Sequence, residues 1–398
     1  MKITRRACLR AAAAIPAVLG SPLMAAKFWG MDAWTSLPSL RNIAADAGLL
    51  FGSDSDFFFR NVTPAYEVLF LNQCALYVGN LSWGVVAPDP AHENDEADPN
   101  VAVALANGLK LTGSHLLWYR STPKWFETLS RTQAQKAVAK HIQQLATFYR
   151  GRCFSWNVVN EAIEPRENGP FGLRINNSLA RTLGPEFFFD AFGEARTADP
   201  GALLLYNDYN LELDTPEQEA RRSALLHLLD RMQKAQVPID GVGLQSHLRF
   251  NNFNAFNETV YRRFLHDLAA RGMKIVISEI DVDDIGMPSD PKIRDQEVAQ
   301  MYARFLAVAL DEIAVVVLVT WGLCDAYSWH NRTKYFPEYI RPDHQPQRPL
   351  LFDADLHVKP AFYAVLDALK QAPKRPKVLT QHFFTSVNGA DRPVSASG

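Results

Sequence analysis

The sequence predicts an α/β protein built as a single (β/α)8 TIM barrel. Eight short apolar or β-branched runs recur along the 398 residues, and segments with helical periodicity lie between several of them. Strands that alternate with helices form parallel sheets through βαβ crossovers, and eight such runs favour a closed barrel. The open-sheet alternative usually needs a Gly-rich phosphate loop after its first strand, which Phe51-Gly-Ser-Asp-Ser55 does not provide.

The predicted strands are distributed along most of the chain. Each is a short apolar or β-branched run that ends at a polar residue or a glycine. In order they are 48–53, 74–79, 109–118, 153–161, 202–210, 241–248, 274–282 and 315–322.

The predicted helices lie between these strands and at the two ends of the barrel. Apolar residues that recur with a period of 3.6 indicate amphipathic helices that pack against a sheet. The predicted segments are 37–47, 132–149, 216–236, 258–271, 296–312 and 359–370.

Three polar segments are predicted to lie outside these elements. The acidic run 91–98 is flanked by prolines, which indicates an exposed, solvated loop rather than a metal site. The segment 331–348 is rich in Pro, Arg and His and is predicted to form a long loop over the barrel mouth. The tail after Phe384 is small and polar and is predicted to be disordered.

The N-terminus has the pattern of an export signal. Arg5 and Arg6 precede an uncharged, Ala-rich stretch at 11–26, which is typical of a bacterial twin-arginine signal. A cytoplasmic helix is the alternative, and Pro16, Gly20 and Pro22 would interrupt it. We therefore expect a periplasmic or extracellular protein. The predicted divisions are an export signal at 1–26, a catalytic domain at 27–375 and a C-terminal extension at 376–398.

Composition narrows the range of partners. The formal net charge of −2 argues against nucleic acid, and the mature chain contains no apolar run long enough to span a membrane. Cys74, Cys153 and Cys324 lie in apolar runs without CxxC spacing, which predicts buried thiols. No metal or organic cofactor is indicated, and we expect a monomer.

Two predicted strands end in a carboxylate. The fourth ends in Asn160-Glu161, and the seventh contains Ser278-Glu279. A parallel barrel places its catalytic side chains at the C-terminal ends of its strands. Hydrolysis of a glycosidic bond needs one carboxylic acid to protonate the departing oxygen and a second carboxylate that faces the anomeric carbon. The pair therefore predicts a glycosidase.

Other strand-end residues fit a carbohydrate cleft. Gln245 and His247 end the sixth strand, where a neutral imidazole could hold a carboxylate or a sugar hydroxyl in place. Trp118, Trp321 and Trp329 fall at or just beyond the ends of the third and eighth strands. Aromatic faces stack on pyranose rings, although core packing is the ordinary role of any single tryptophan.

Several motifs, in order from about residue 45 to 370, resemble glycoside hydrolase family 10. The motifs are Trp156-Asn-Val-Val-Asn-Glu-Ala162, Tyr206-Asn-Asp-Tyr-Asn210, Gly241-Val-Gly-Leu-Gln-Ser-His247, Ile277-Ser-Glu-Ile-Asp281, Thr320-Trp-Gly-Leu-Cys-Asp-Ala-Tyr-Ser-Trp329, Pro349-Leu-Leu-Phe-Asp-Ala-Asp355 and Lys359-Pro-Ala-Phe-Tyr363.

The resemblance implies a retaining endo-β-1,4-xylanase on a (β/α)8 barrel. Matched residue by residue, Glu161 resembles the acid/base and Glu279 the nucleophile, with a polysaccharide as substrate. The implied substrate-binding residues are Asn160, which would bond the 2-hydroxyl of the reacting sugar, together with Gln245, His247, Trp118, Trp321, Trp329 and Tyr209.

Two stretches depart from the family pattern. After the second strand the family usually has Glu-Asn…Lys-Trp, and alignment on Trp83 places Val78, Gly79 and Ser82 at the Glu, Asn and Lys positions. After the third strand, Ser114 and Tyr119 replace two histidines, unless His115 compensates by a shift in register. Arg120 adds a cation that the family usually lacks.

These departures leave the substrate open. A site that loses polar contacts to sugar hydroxyls discriminates poorly for its original substrate, so a bacterial exopolysaccharide or another non-xylan glycan is the alternative to xylan. A carbohydrate-binding barrel without turnover predicts a lost carboxylate, and both are present. A barrel isomerase or lyase would need a Gly-rich phosphate site after strands seven and eight, where the sequence is acidic and aromatic.

Overall fold

A computed structural model describes residues 37–54, 62–89 and 99–376. Three predictions fall outside these residues: the export signal, the acidic loop at 91–98 and the disordered tail. Of the predicted C-terminal extension, only Pro376 is described.

Eight parallel strands close into a barrel, which confirms the predicted fold. Neighbouring strands pair in chain order, and the ring closes where Leu50 of the first strand lies opposite Val317 of the last. The strands are β1 Leu50–Asp54, β2 Leu76–Asn80, β3 Lys110–Trp118, β4 Cys153–Asn160, β5 Leu203–Asp208, β6 Gly241–Leu244, β7 Lys274–Asp283 and β8 Val315–Thr320. Each overlaps one predicted strand.

Helices surround this barrel. They are α1 Leu40–Asp46, α2 Pro64–Gln73, α3 Trp83–Val86, α4 Pro99–Ala106, α5 Arg131–Phe148, α6 Ser178–Leu183, α7 Phe188–Ala198, α8 Pro216–Lys234, α9 Glu258–Ala270, α10 Pro291–Ala309 and α11 Pro360–Gln371. The predictions for α1, α5, α8, α9, α10 and α11 overlap these helices. The sequence prediction missed α2, α3, α4, α6 and α7. Helices α3 and α6 have only four and six residues, and α2 and α4 consist largely of consecutive apolar residues without an amphipathic period. Helix α7 does have an apolar face, on which Phe188, Ala191 and Phe192 are buried.

The start of α10 was predicted too late, at residue 296. The helix begins at Pro291, and the Asp290 side chain caps it by accepting a 2.8 Å hydrogen bond from the Lys292 backbone N–H. Proline is favoured at the first helical position because its missing N–H would have no partner there.

The sixth predicted strand is interrupted. β6 ends at Leu244, Ser246 adopts a left-handed backbone with φ of 60°, and the chain then resumes as a short strand, His247–Arg249. This short strand pairs with the end of β7, where His247 lies opposite Asp281. The interruption brings the His247 imidazole beside the carboxylates of β7.

Two apolar clusters stabilise the barrel. One is formed by strand residues alone, including Val78, Phe154, Leu205 and Val276, and it fills the barrel interior. The larger one packs the outer faces of the strands against the helices. Full burial of one such side chain contributes about 1.5–3 kcal/mol. The three predicted thiols are free and buried, and no described helix is both long and apolar enough to cross a membrane.

The segment 331–348 runs over the mouth of the barrel with only short 3-10 turns, as predicted. Its Tyr339 ring stacks on His330 and packs against Trp329, with ring centroids 4.6 Å apart in both pairs. The loop therefore supports the aromatic wall beside strand β8.

Candidate active site

Glu161 follows β4 directly and is nearly buried, with 8% of its surface exposed. Its backbone is left-handed, with φ of 58°, a conformation that costs a non-glycine residue about 1–3 kcal/mol and often marks a functional site. Three side chains donate to its carboxylate: Trp118 Nε1 to Oε2 at 3.0 Å, Asn160 Nδ2 to Oε1 at 3.0 Å and Gln245 Nε2 to Oε1 at 3.1 Å. Residues from three strand ends thus fix this carboxylate.

Glu279 points from β7 into the same part of the mouth. Its Oε1 accepts a hydrogen bond from Asn207 Nδ2 at 2.8 Å, and its Oε2 lies 3.3 Å from His247 Nε2. The Ser278 hydroxyl donates to Asn207 Oδ1 at 2.7 Å, which orients the amide. Both carboxylate oxygens therefore have a defined partner.

An amide network joins the two carboxylates. Asn207 Nδ2, which bonds Glu279, also donates to Asn160 Oδ1 at 2.8 Å. Gln245 Nε2, which bonds Glu161, lies 3.3 Å from the same Asn160 oxygen. The predicted pair is brought together around the end of β5. We call Asn160, Glu161, Asn207, Gln245, His247 and Glu279 the catalytic side of the cleft.

Contacts with two carboxylates favour the protonated form of His247 over the neutral ring that the sequence suggested. Its Nδ1 lies 2.8 Å from Asp281 Oδ1, and its Nε2 faces Glu279. Burial lowers the pKa of His247, but the charges and hydrogen bonds of Asp281 and Glu279 outweigh burial and raise that pKa to about 10. Both ring nitrogens then donate, and a positive charge lies against Glu279.

Aromatic rings surround His247. The Trp329 ring centroid lies 5.3 Å from that of His247, and its Nε1 donates to Asp281 Oδ2 at 2.7 Å. The Trp321 ring meets His247 edge-on at 6.4 Å and remains partly exposed. Two of the three predicted tryptophans therefore line the wall beside Glu279, while Trp118 contacts Glu161.

Tyr209 lies behind Glu161 rather than in direct contact with either carboxylate. Arg174 donates from Nε to the Glu161 backbone oxygen at 3.1 Å and from Nη2 to the Tyr209 hydroxyl at 3.3 Å. Arg221, fully buried, forms ion pairs with Asp208 at 3.2 Å and Glu164 at 3.0 Å, and its guanidinium covers the Tyr209 ring at 4.4 Å. This charged layer supports the turn that carries Glu161.

The opposite part of the mouth, at the ends of β2 and β3, has few polar groups. We call Val78, Gly79, Ser82, Ser114 and His115 the β2–β3 side. The Ser114 hydroxyl accepts from Asn157 at 3.0 Å, and Ser82 Oγ accepts from the His115 backbone at 3.4 Å. Both ring nitrogens of His115 are buried without a hydrogen-bond partner.

The His115 ring is neutral and lies close to Glu161. Burial lowers its pKa to about 4, although the negative charge of Glu161 opposes the shift. The ring packs 5.2 Å from Trp118, which itself bonds Glu161. An imidazole is therefore present on the β2–β3 side, one residue along from the position that the family alignment gives to Ser114.

Sequence reasoning missed Asn207 and Asp281 as members of the site. Asn207 lies within the quoted motif 206–210, and its side chain joins Asn160 to Glu279. Asp281 lies two residues after Glu279 on β7, so the alternation of a strand places both on one face. That spacing was a usable signal.

A possible metal site is separate from the catalytic residues. Within the described ranges, Asp353, Asp355 and His357 place ligand atoms within 4.8 Å of one another. They lie on the loop between β8 and α11, and Asp355 and His357 are exposed. This geometry is common in exposed acidic turns that bind no ion.

A closed parallel barrel with two carboxylates at its strand ends, linked through amides and bordered by tryptophans, defines a barrel glycoside hydrolase. The comparisons with known proteins narrow this class. The model of glycosyl hydrolase family 10 matches residues 72–368, and the chain belongs to that family.

Its relatives include xylanases from bacteria and fungi. The chain is 29% identical over 299 residues to endo-1,4-beta-xylanase B of Thermotoga neapolitana, with 74% of this chain and 80% of that protein covered. It is 30% identical over 345 residues to endo-1,4-beta-xylanase 5 of Pyricularia oryzae, with 85% and 80% covered.

Solved structures give the same match. Native xylanase 10B from Thermotoga maritima superposes with a TM-score of 0.73 at 26% identity, covering 84% of this chain and 98% of that one. Xylanase 10B from Thermotoga petrophila RKU-1, solved with xylobiose, superposes with a TM-score of 0.74 at 25% identity and the same coverage.

Proposed function

We propose that the protein is a retaining endo-β-glycosidase that hydrolyses a β-1,4-linked, xylan-like polysaccharide by double displacement. Glu279 is the nucleophile and Glu161 the acid/base. The observation that carries the proposal is the amide network through Asn160 and Asn207, which links the Glu161 and Glu279 carboxylates at the mouth of the barrel. The xylanase names of the relatives supply the substrate class.

In the first step, Glu279 attacks the anomeric carbon while Glu161 gives its proton to the departing oxygen. A glycosyl ester forms on Glu279, and the leaving chain departs with a free hydroxyl group. In the second step, Glu161 removes a proton from water, which attacks the same carbon and releases Glu279. The configuration of the anomeric carbon is inverted in each step and is therefore retained overall.

The neighbouring groups have distinct tasks in these steps. Asn207 fixes Glu279 in its reactive orientation, and the His247 cation stabilises the carboxylate when it leaves the sugar. Asn160 exchanges its bond to Glu161 for one to the sugar 2-hydroxyl. Trp321 and Trp329 form the wall on which pyranose rings stack, with Gln245 and Tyr209 completing the set of binding residues.

The β2–β3 side favours a second candidate substrate. Val78, Gly79 and Ser82 offer little to sugar hydroxyls, because the first two lack polar side-chain atoms. A β-linked polysaccharide other than plain xylan is therefore the alternative, cleaved by the same two carboxylates.

We further propose that residues 1–26 direct export by the twin-arginine route, that 27–375 form the catalytic domain, and that the mature protein acts as a monomer in the periplasm or outside the cell. Arg5 and Arg6 carry the export proposal. Replacing both with lysine should keep the protein in the cytoplasm, which fractionation and immunoblotting would detect. Unchanged export would contradict it.

Reducing-end release from β-1,4-xylan and from a panel of other β-linked polysaccharides tests the activity. Glu279→Ala serves as the blank. Release from xylan that disappears in the variant supports the first candidate, and release confined to another polymer supports the second. If the folded protein releases reducing ends from none of these polysaccharides, the proposal is overturned.

A further inference from the structure

A group of two tyrosines and two arginines lies along one flank of Glu161. Arg120 Nε donates to the Tyr119 hydroxyl at 2.8 Å, and the Arg174 guanidinium covers the Tyr119 ring at 4.2 Å. Arg174 also donates to the Tyr209 hydroxyl. We call Tyr119, Arg120, Arg174 and Tyr209 the cationic flank.

The cationic flank borders the reacting centre. Trp118, which precedes Tyr119, donates to Glu161 Oε2, and Arg174 donates to the Glu161 backbone oxygen. The hydrogen bond to Tyr119 raises the pKa of Arg120, and the charge of Glu161 adds to the shift. Arg120 follows Trp118 by two residues, so it lies beside the strand end at which Trp118 bonds Glu161.

The two arginines differ in their charge balance. Arg174 is mostly buried and is compensated by Glu167 at 3.1 Å and Glu164 at 3.6 Å. Arg120 is exposed, and among the residues that the structure describes it has no carboxylate within 4.0 Å. Nε is bonded to Tyr119, and the two terminal amino groups make no hydrogen bond to any residue that the structure describes.

This arrangement suits an anion. A neutral sugar needs no cation beside the cleaved bond, whereas a guanidinium with free terminal N–H groups binds a carboxylate by two parallel hydrogen bonds. The bond to Tyr119 and the packing of that ring on Arg174 limit the motion of Arg120 before any ligand arrives, which reduces the entropy lost on binding.

We propose that Arg120 forms a subsite for an anion, which binds the carboxylate of a uronic acid next to the cleaved bond. This subsite rests on the proposed function. The preferred polymer is then an acidic β-linked polysaccharide. The uronic acid is either a side substituent or a unit of the main chain, and the carboxylate is common to both.

Matched polymers test this subsite. Glucuronoxylan supplies the carboxylate as a substituent, and a bacterial polysaccharide with glucuronate in its main chain supplies it in the backbone. Each is compared with its carboxyl-reduced form, in which the carboxylate becomes a primary alcohol. We expect kcat/KM to be at least about 10-fold higher for the native form of at least one polymer, because an exposed bidentate ion pair contributes at least as much as one charge-assisted hydrogen bond.

Arg120→Gln should bring this ratio to about one, chiefly by lowering kcat/KM on the native polymer, and Arg120→Lys should keep part of the preference. Arg263→Gln, an equal charge change at an exposed position on α9, is the control and should behave as wild type. A wild-type ratio of one, or a ratio that survives Arg120→Gln, would overturn the subsite.

The two proposals fail in different ways. Turnover of carboxyl-reduced polymer without a preference for the native form removes the anionic subsite and keeps the glycosidase. If no polymer is cleaved, the glycosidase proposal fails, and calorimetric binding of native and reduced polymers to Glu279→Gln still measures the preference. Equal binding of both forms would then overturn the subsite as well.

Discussion

The catalytic side and the β2–β3 side of the cleft differ in how completely their polar groups are bonded. In the described part of the chain, no buried nitrogen or oxygen of the six catalytic-side residues lacks a partner. Of the five residues of the β2–β3 side, His115 has both ring nitrogens buried without one.

This difference indicates that the two sides contribute unequally to bond cleavage and to recognition of the polymer. Fixed dipoles and charges stabilise a transition state because they need no reorganisation when charge develops, and the catalytic side has this property. The β2–β3 side offers an apolar residue, a glycine, two serines and a buried neutral imidazole, so it contributes little to binding a particular sugar. We infer that bond cleavage depends on one side and polymer choice on residues outside it, including Arg120.

The largest expected effect comes from removing the nucleophile. Glu279→Ala should lower kcat on xylan and on activated aryl glycosides alike by about 10⁴-fold or more, because no covalent intermediate can form. Initial rates on both substrates measure this loss, and Glu258→Ala, at an exposed position of α9, is the control. Residual activity within tenfold of wild type would place the nucleophile elsewhere.

Removing the acid/base should produce a smaller, substrate-dependent loss. Glu161→Ala should slow xylan hydrolysis by about 10³-fold, the usual contribution of general acid catalysis. A dinitrophenyl β-xylobioside needs little protonation of its leaving group, so its glycosylation step should fall by less than tenfold. Pre-steady-state release of dinitrophenol measures that step, and equal losses on both substrates would contradict the assignment.

The charge of His247 depends on its carboxylate partners. With a pKa of about 10, its ring stays protonated across neutral pH, and the stability that it contributes is complete below pH 6.5 and is lost as pH rises towards 10. Asp281→Asn should lower this pKa by at least about one unit. Imidazole chemical shifts followed by NMR against pH measure both proteins, and identical titrations would contradict the account.

Two substitutions at buried positions, one on each side of the cleft, should differ in their effect on the free energy of unfolding. Asn207→Leu removes one hydrogen bond each from Asn160, Ser278 and Glu279 and should lower the free energy of unfolding by about 2–4 kcal/mol. His115→Phe removes ring nitrogens that bond nothing, and should change that free energy by less than about 1 kcal/mol.

Denaturant unfolding of both variants measures this contrast. Far-UV circular dichroism confirms that each variant starts from a folded state. If His115→Phe destabilises the protein as much as Asn207→Leu, the imidazole has partners, and the two sides do not differ as described.

The barrel was predictable because its strands are buried runs that end in polar residues, a local pattern. Helices α2, α3, α4 and α6 were not predicted, since a short helix or one of consecutive apolar residues lacks the amphipathic period on which the prediction relied. Helix α7 was missed although Phe188, Ala191 and Phe192 have that period. The start of α10 was misplaced although Asp290 and Pro291 form an ordinary helix start.

For the site, strand-end position identified Glu161 and Glu279, and family motifs added their neighbours. The bridging role of Asn207 depends on contacts with two other strands, which no local spacing reveals. The charge of His247 likewise follows from two carboxylates that only the folded barrel brings to it. Asp281 was within reach, because it shares a strand face with Glu279.

The stereochemistry of hydrolysis tests the central claim most directly, namely that Glu161 and Glu279 act together in a double displacement. Proton NMR of a xylo-oligosaccharide during cleavage shows which anomer of the new reducing end appears before mutarotation. The account predicts the β-anomer first, through a glycosyl ester on Glu279. Initial release of the α-anomer would mean a single displacement by water and would contradict it.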